Sequence, residues 1–393
     1  MEIRPADRLQ NIGSYAFAEV DKQVAELKEQ GIEPVDFGVG DPTDPPPECA
    51  REALKKGVER HKTAGYPSYT GSEEYRNIIA DWMSDRFGVE LDPETDITST
   101  LGSKEGIFNF PEAFVNPGDA VIIPTPGYPP YTRGTQFAEG ECYYAPLLPE
   151  NDFLVDFESI PEEVAERASI MWLNYPNSPT GTVATRDYLE RAAEFGQKND
   201  IIVASDEAYS EIYYTDEPPP SMLEVAREGV VVFQSMSKRS CMTGYRIGWA
   251  CGDKRIIDGF KKVKTNIDSG TPRFIQDAAV AALKDEEHVQ QSRESYRRKR
   301  DMLADALTEA GLEDCRPEGT IYLWQKVPEG YDGVEFAKEL LAPDIAAVTT
   351  PGAWLSNETD DGVNAGEGFV RFALVPPEQK VERIAEAIRG ASW

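Results

Sequence analysis

Four apolar runs constrain this chain most: Ala120-Val-Ile-Ile123, Met171-Trp-Leu173, Ile201-Ile-Val-Ala204 and Val230-Val-Val-Phe233. None alternates with polar residues, so each reads as a strand buried on both faces. Strands alternate with helical stretches from about residue 100 to about residue 250, which implies an α/β fold with a mostly parallel sheet covered by helices on both sides. Ligand sites on such sheets collect at the carboxyl ends of the strands. Here those ends carry Asn177, Asp206 and Lys238.

The strand ending at Phe233 runs into Gln-Ser-Met-Ser-Lys238, and Arg246 follows eight residues later in a Gly-containing turn. A lysine held at a strand end beside small hydroxyls suits a Schiff-base amine with Arg246 as a phosphate anchor. Taken alone, the same segment describes an exposed lysine in a polar loop. Gly102-Ser-Lys104 opens a helix, where backbone amides and the Ser103 and Lys104 side chains can cradle an anion that Gly102 allows to approach. Asp206 ends a buried strand, an expensive place for a carboxylate without a cationic partner. It could equally cap the following helix. Arg371 sits inside the apolar strand Gly368–Ala373, where it needs an anion, either a bound one or a structural salt bridge.

The spacing Ser-x-Ser-Lys-x7-Arg resembles the cofactor-lysine segment of the class I/II, fold-type I, pyridoxal-phosphate-dependent aminotransferases. Arg8-Leu-Gln-Asn-Ile-Gly-Ser-Tyr-Ala-Phe-Ala-Glu19, Gly65-Tyr-Pro-Ser-Tyr-Thr-Gly71, Leu101-Gly-Ser-Lys-Glu-Gly-Ile107, Phe114-Val-Asn-Pro-Gly-Asp119 and Lys264-Thr-Asn-Ile-Asp-Ser-Gly270 are similar to the LL-diaminopimelate aminotransferase branch. The likeness runs from about Arg8 to Ala373. It implies a large cofactor-binding domain over residues 45–285, and an amino-terminal arm over 1–44 packing with 286–393 as a smaller α+β domain.

The resemblance also assigns roles. Lys238 becomes the cofactor lysine, Asp206 pairs with the protonated pyridine nitrogen, and Tyr209 hydrogen-bonds the ring hydroxyl. Tyr128 stacks on the ring, while Gly102, Ser103, Lys104, Ser235 and Arg246 hold the phosphate. Tyr66 reaches the phosphate of the neighbouring subunit, which implies a homodimer with shared sites; otherwise it is a buried loop tyrosine. Arg371 holds the substrate's α-carboxylate, with Gly40 in the turn beside it. Family members place Asn immediately before the second proline of Asn174-Tyr-Pro-Asn-Ser-Pro179, whereas this chain has Ser178 there and Asn177 one position earlier. Both are candidates for the ring hydroxyl.

Composition removes other classes. In 393 residues, 40 Lys plus Arg against 70 Asp plus Glu give a net charge of −30. Such a surface repels nucleic acid and anionic lipid. The acid is dispersed along the chain, a pattern suited to a salt-rich cytosol. Salt screens distant charges over about 8 Å, or about 3 Å at molar strength, so local donors decide phosphate binding. No stretch approaches the length of a membrane span and the amino terminus has no signal-peptide core, so a cytoplasmic protein is expected. Five cysteines without a C-x-x-C pair fit reduced thiols. Only His61 and His288 are present, far apart, and no metal site is expected.

The expected activity is amino-group transfer from LL-diaminopimelate or a related amino acid to a 2-oxo acid such as 2-oxoglutarate. Aspartate, aromatic or alanine donors remain open, as does β-elimination on the same scaffold. Ala353-Trp-Leu-Ser356 and the acidic stretch Glu358–Val363 depart from the branch pattern next to the substrate pocket.

Overall fold

Seven strands build the central sheet: β1 (Ile97–Thr100), β2 (Ala120–Thr125), β3 (Glu141–Pro146), β4 (Ala168–Asn174), β5 (Ile202–Asp206), β6 (Val230–Ser235) and β7 (Gly248–Gly252). They belong to a computed structural model that describes residues 3–10, 18–391 and 393. Their order in space is β1-β7-β6-β5-β4-β2-β3. β2 to β6 pair parallel, while β7 runs antiparallel to both β6 and β1. The link from β6 to β7 holds a single helical turn and the site loop instead of a covering helix, so the chain turns straight back.

The unbroken apolar runs have the expected cause. Along β4, Met171 and Leu173 enter the core on one face and Ile170 and Trp172 the core on the other. β6 divides in the same way, with Val230 and Val232 on one side and Val231 and Phe233 on the opposite side. Trp172, Phe233 and Phe260 ring Phe110 edge-on at 5.3–5.8 Å between centroids. Contacts of this kind add about 1 kcal/mol each beyond area burial. Three strands escape the apolar-run criterion: β1 and β3 edge the sheet and β7 is rich in small residues. The outer one, β3, is only partly covered.

A third core lies beside this sheet. β8 (Tyr322–Lys326), β9 (Thr350–Pro351) and β10 (Phe369–Ala373) form an antiparallel sheet in the order β9-β10-β8. Helices Glu287–Glu309 and Glu378–Arg389 pack with it, together with Val35 and Phe37. Val35–Asp36 pairs parallel with Ala347–Val348, tying the amino-terminal segment to the carboxyl-terminal one. Tyr209, Ile212 and Tyr214, from the loop after β5, join the same core, so the end of β5 lies where the two sheets meet. The arm motif from Asn11 to Phe17 lies outside the described residues; the helix after it spans Ala18–Glu29. Among the described residues no helix is long and apolar enough to cross a membrane.

Candidate active site

The carboxyl ends of β4, β5 and β6 deliver Asn174, Asp206 and Ser235 to one cavity of about 560 Å³. Ser235 caps the single turn Met236–Arg239, its hydroxyl accepting from the Ser237 amide at 3.1 Å. That turn carries Lys238 into the cavity wall. Gly40, Ser103, Lys104, Tyr128, Ser178, Asp206, Tyr209, Ser235, Lys238, Arg246 and Arg371 all line this space. Its four cations, Lys104, Lys238, Arg246 and Arg371, face two carboxylates, Asp41 and Asp206. The cavity therefore has the opposite sign to the protein as a whole.

Asp206 is buried. Its carboxylate accepts from the Tyr131 hydroxyl at 2.8 Å and the Ala208 amide at 3.2 Å. Among the described residues no cation lies within ion-pairing distance. Burial lifts the carboxyl to about 6, and the two hydrogen bonds keep it from rising further. Tyr131, which the sequence reading did not single out, stacks on Trp172 at 4.9 Å. It follows Tyr128 by three residues, and that helical spacing is the signal that could have found it.

Lys238 is half-buried, and its amine donates to the Gly40 carbonyl, with no carboxylate partner among the described residues. Arg246 sits in the left-handed region at φ 55°. Among the described residues its guanidinium donates to the carbonyls of Thr243 at 2.6 Å and Leu101 at 3.2 Å and to no other group. A Cβ at Gly102, itself at φ 77°, would stand 2.5 Å from that guanidinium, so only glycine lets Arg246 lie across the backbone there. Arg371 reaches from β10. One of its nitrogens donates to the Gly38 carbonyl at 2.8 Å, its plane lies 4.4 Å from the Tyr322 ring centre, and its buried Nε has no partner. Among the described residues no carboxylate pairs with Arg371.

Of the two candidates before Pro179, Ser178 faces the cavity and Asn177 does not. The Asn177 amide is used within its own turn, accepting from the Thr180 amide and hydroxyl at 3.1 and 2.8 Å and donating to the Asn174 carbonyl at 3.1 Å. Asn174 takes a site role that the sequence reading left unassigned. It accepts from the Ser178 amide at 2.9 Å and donates to the Asp206 carbonyl at 2.8 Å, joining the ends of β4 and β5. Tyr209 is buried with its hydroxyl 3.0 Å from that of Tyr322, a second residue the sequence did not mark. Tyr66 is 84% exposed and does not reach the cavity of its own chain. His61 and His288 pair with Asp277 and Ser240, away from the cavity. Among the described residues no cluster of metal-ligating side chains occurs.

A family model for aminotransferase class I and II matches residues 32–388. The chain is 45% identical over 387 residues to LL-diaminopimelate aminotransferase of Aquifex aeolicus, covering 98% of each. Among solved structures it is similar to an aminotransferase from Neisseria meningitidis, with a TM-score of 0.89 at 31% identity over 98% of this chain and 99% of that one. It is also similar to a single mutant of Thermus thermophilus aspartate aminotransferase, with a TM-score of 0.89 at 29% identity over 99% of this chain and 100% of that one.

Proposed function

We propose, from the premise that the chain belongs to the aminotransferase class I and II family and is a transaminase, that it uses pyridoxal 5'-phosphate to move an amino group from LL-diaminopimelate to a 2-oxo acid such as 2-oxoglutarate. One observation carries the site assignment. Lys238, Asp206 and Arg371 face a single cavity, and none of the three has an ionic partner among the described residues. The donor in particular rests on the 45% identity to the Aquifex enzyme.

The cavity residues fit that cofactor. The buried Asp206 carboxylate has no cation, and a protonated ring nitrogen supplies one. Arg246, Ser103, Lys104 and Ser235 offer donors to a phosphate, with Gly102 giving the guanidinium its room. Tyr66, exposed on its own chain, supplies a further phosphate donor from a second copy, which makes the working unit a homodimer. Tyr128 would give the ring an aromatic face, and Tyr209 and Ser178, which line the same cavity, would offer hydroxyls to the ring hydroxyl.

When bound, the cofactor supplies an aldehyde that condenses with amines and a protonated ring that takes up the electron pair left on the substrate's α-carbon. Arg371 binds the α-carboxylate through its planar fork and so turns the α-hydrogen toward Lys238. Lys238 would carry that proton at its Nζ, taking it from the α-carbon and later giving one back. Asp206 holds the ring proton in place throughout. In the second half-reaction, with the 2-oxo acid held by Arg371, Lys238 carries the proton in the reverse direction.

Replacing Lys238 tests the core of the reading. Lys238→Ala is expected to lose both the near-visible absorbance of lysine-bound cofactor and turnover; a variant that kept both would refute the assignment. A panel of purified amino donors is expected to give the highest kcat/KM with LL-diaminopimelate, with 2-oxo acid formed and no free ammonia.

A further inference from the structure

Tyr322 of β8 occupies a position in the site that no family motif marked. It is 4% exposed and meets three site residues at once. Its ring lies under the Arg371 guanidinium at 4.4 Å. Its hydroxyl is 3.0 Å from that of Tyr209. It lies against Gly40, where a Cβ would overlap the phenol, and Gly40 in turn accepts from Lys238. Among the described residues the charged and titratable groups facing Tyr322 are Arg371 from its own sheet, Lys238 from the turn after β6, Tyr209 and Tyr128 from the central sheet's loops, and Tyr296 from the helix Glu287–Glu309.

We propose that Tyr322 is the positioning residue of the site, holding Arg371 flat with its ring and aiming the Tyr209 hydroxyl with its own. The claim rests on the transaminase reading above, and it follows from what each neighbour lacks. Among the described residues Arg371 has one hydrogen-bond partner and a buried Nε with none, so stacking is what keeps its fork open toward an incoming carboxylate. Among the same residues Tyr209 has no other side-chain hydrogen bond. Its proton points either to Tyr322 or into the cavity. When Tyr322 donates to the Tyr209 oxygen, Tyr209 is left to donate to the cofactor's ring oxygen. Burial opposes ionisation of Tyr322, yet the charges of Arg371 and Lys238 take its phenol below the ordinary value, while burial holds the Tyr209 phenol well above it. A polarised donor of this kind is what the arrangement needs.

Two variants of the full-length holoenzyme separate the two actions. Tyr322→Phe keeps the ring and removes the hydroxyl. Weakening a donor to the deprotonated ring oxygen disfavours that form, so the pH midpoint of the bound cofactor's absorbance is expected to rise by about half a unit or more. The KM for the amino donor is expected to stay within about twofold, because the stacking on Arg371 survives. Tyr322→Leu removes both, and a rise of about tenfold in KM is expected in addition. A wild-type midpoint in the Phe variant, or a wild-type KM in the Leu variant, would overturn the proposal. The Phe variant conserves volume, so the spectroscopic arm stands if the Leu variant does not fold. A wild-type protein that bound no pyridoxal phosphate would refute the function itself, a different outcome.

Discussion

Asp206→Asn is expected to stabilise the cofactor-free protein while ruining the enzyme. Burial holds the carboxyl at about 6 against an ordinary 3.8. A gap of about two pH units corresponds to about 3 kcal/mol. The sign follows from linkage: the folded state prefers the protonated acid, so the penalty is absent below the unfolded value. It grows as pH rises from 3.8 toward about 6 and is complete above that. Asparagine removes the charge and can still accept from Tyr131. Its amide group cannot accept from the Ala208 amide at the same time, which gives back about 1 kcal/mol. The net expectation is a gain of about 2 kcal/mol near pH 8, shrinking below about 1 kcal/mol near pH 5. Urea unfolding of both proteins, stripped of cofactor and at equal concentration so that subunit association cancels, measures it. With cofactor restored the order should invert, because only the carboxylate gains a cation. An asparagine variant no more stable than wild type near pH 8, or a difference that ignores pH, would refute the reasoning.

Two further outcomes follow from the site. Arg371→Ala should lower kcat/KM by about a hundredfold or more, since two charge-assisted bonds to the α-carboxylate are lost, while leaving the cofactor's absorbance in place; steady-state kinetics and a spectrum read both. Ser178→Ala should alter the bound cofactor's spectrum without altering unfolding, whereas Asn177→Ala should keep the spectrum and lose about 1–3 kcal/mol of stability, because it strips two acceptor bonds and one donor bond from a buried turn.

The sheet was legible because physics leaves little choice for Val230–Phe233 and its counterparts. A continuous apolar run needs cover on both faces, and the helices between supply it. Asp206 and Lys238 were legible for a related reason: a charge at the end of such a run has nowhere dry and neutral to sit. Tyr322 was not, because in sequence it is one aromatic in an ordinary strand. Its meaning comes from a partner 113 positions away. Asn177 looked equivalent to Ser178 until the turn geometry consumed its amide. Tyr131 and Asn174 likewise act only through Asp206 and Ser178, contacts that local pattern does not encode.

The glycine turn after Phe37 has a consequence for how ligands enter. The Gly38 carbonyl holds Arg371 and the Gly40 carbonyl holds Lys238, so one short piece of backbone latches two of the cavity's four cations. Each carbonyl is a neutral acceptor, so a carboxylate entering the cavity would compete with the first of them for the Arg371 fork through a pair in which both partners are charged.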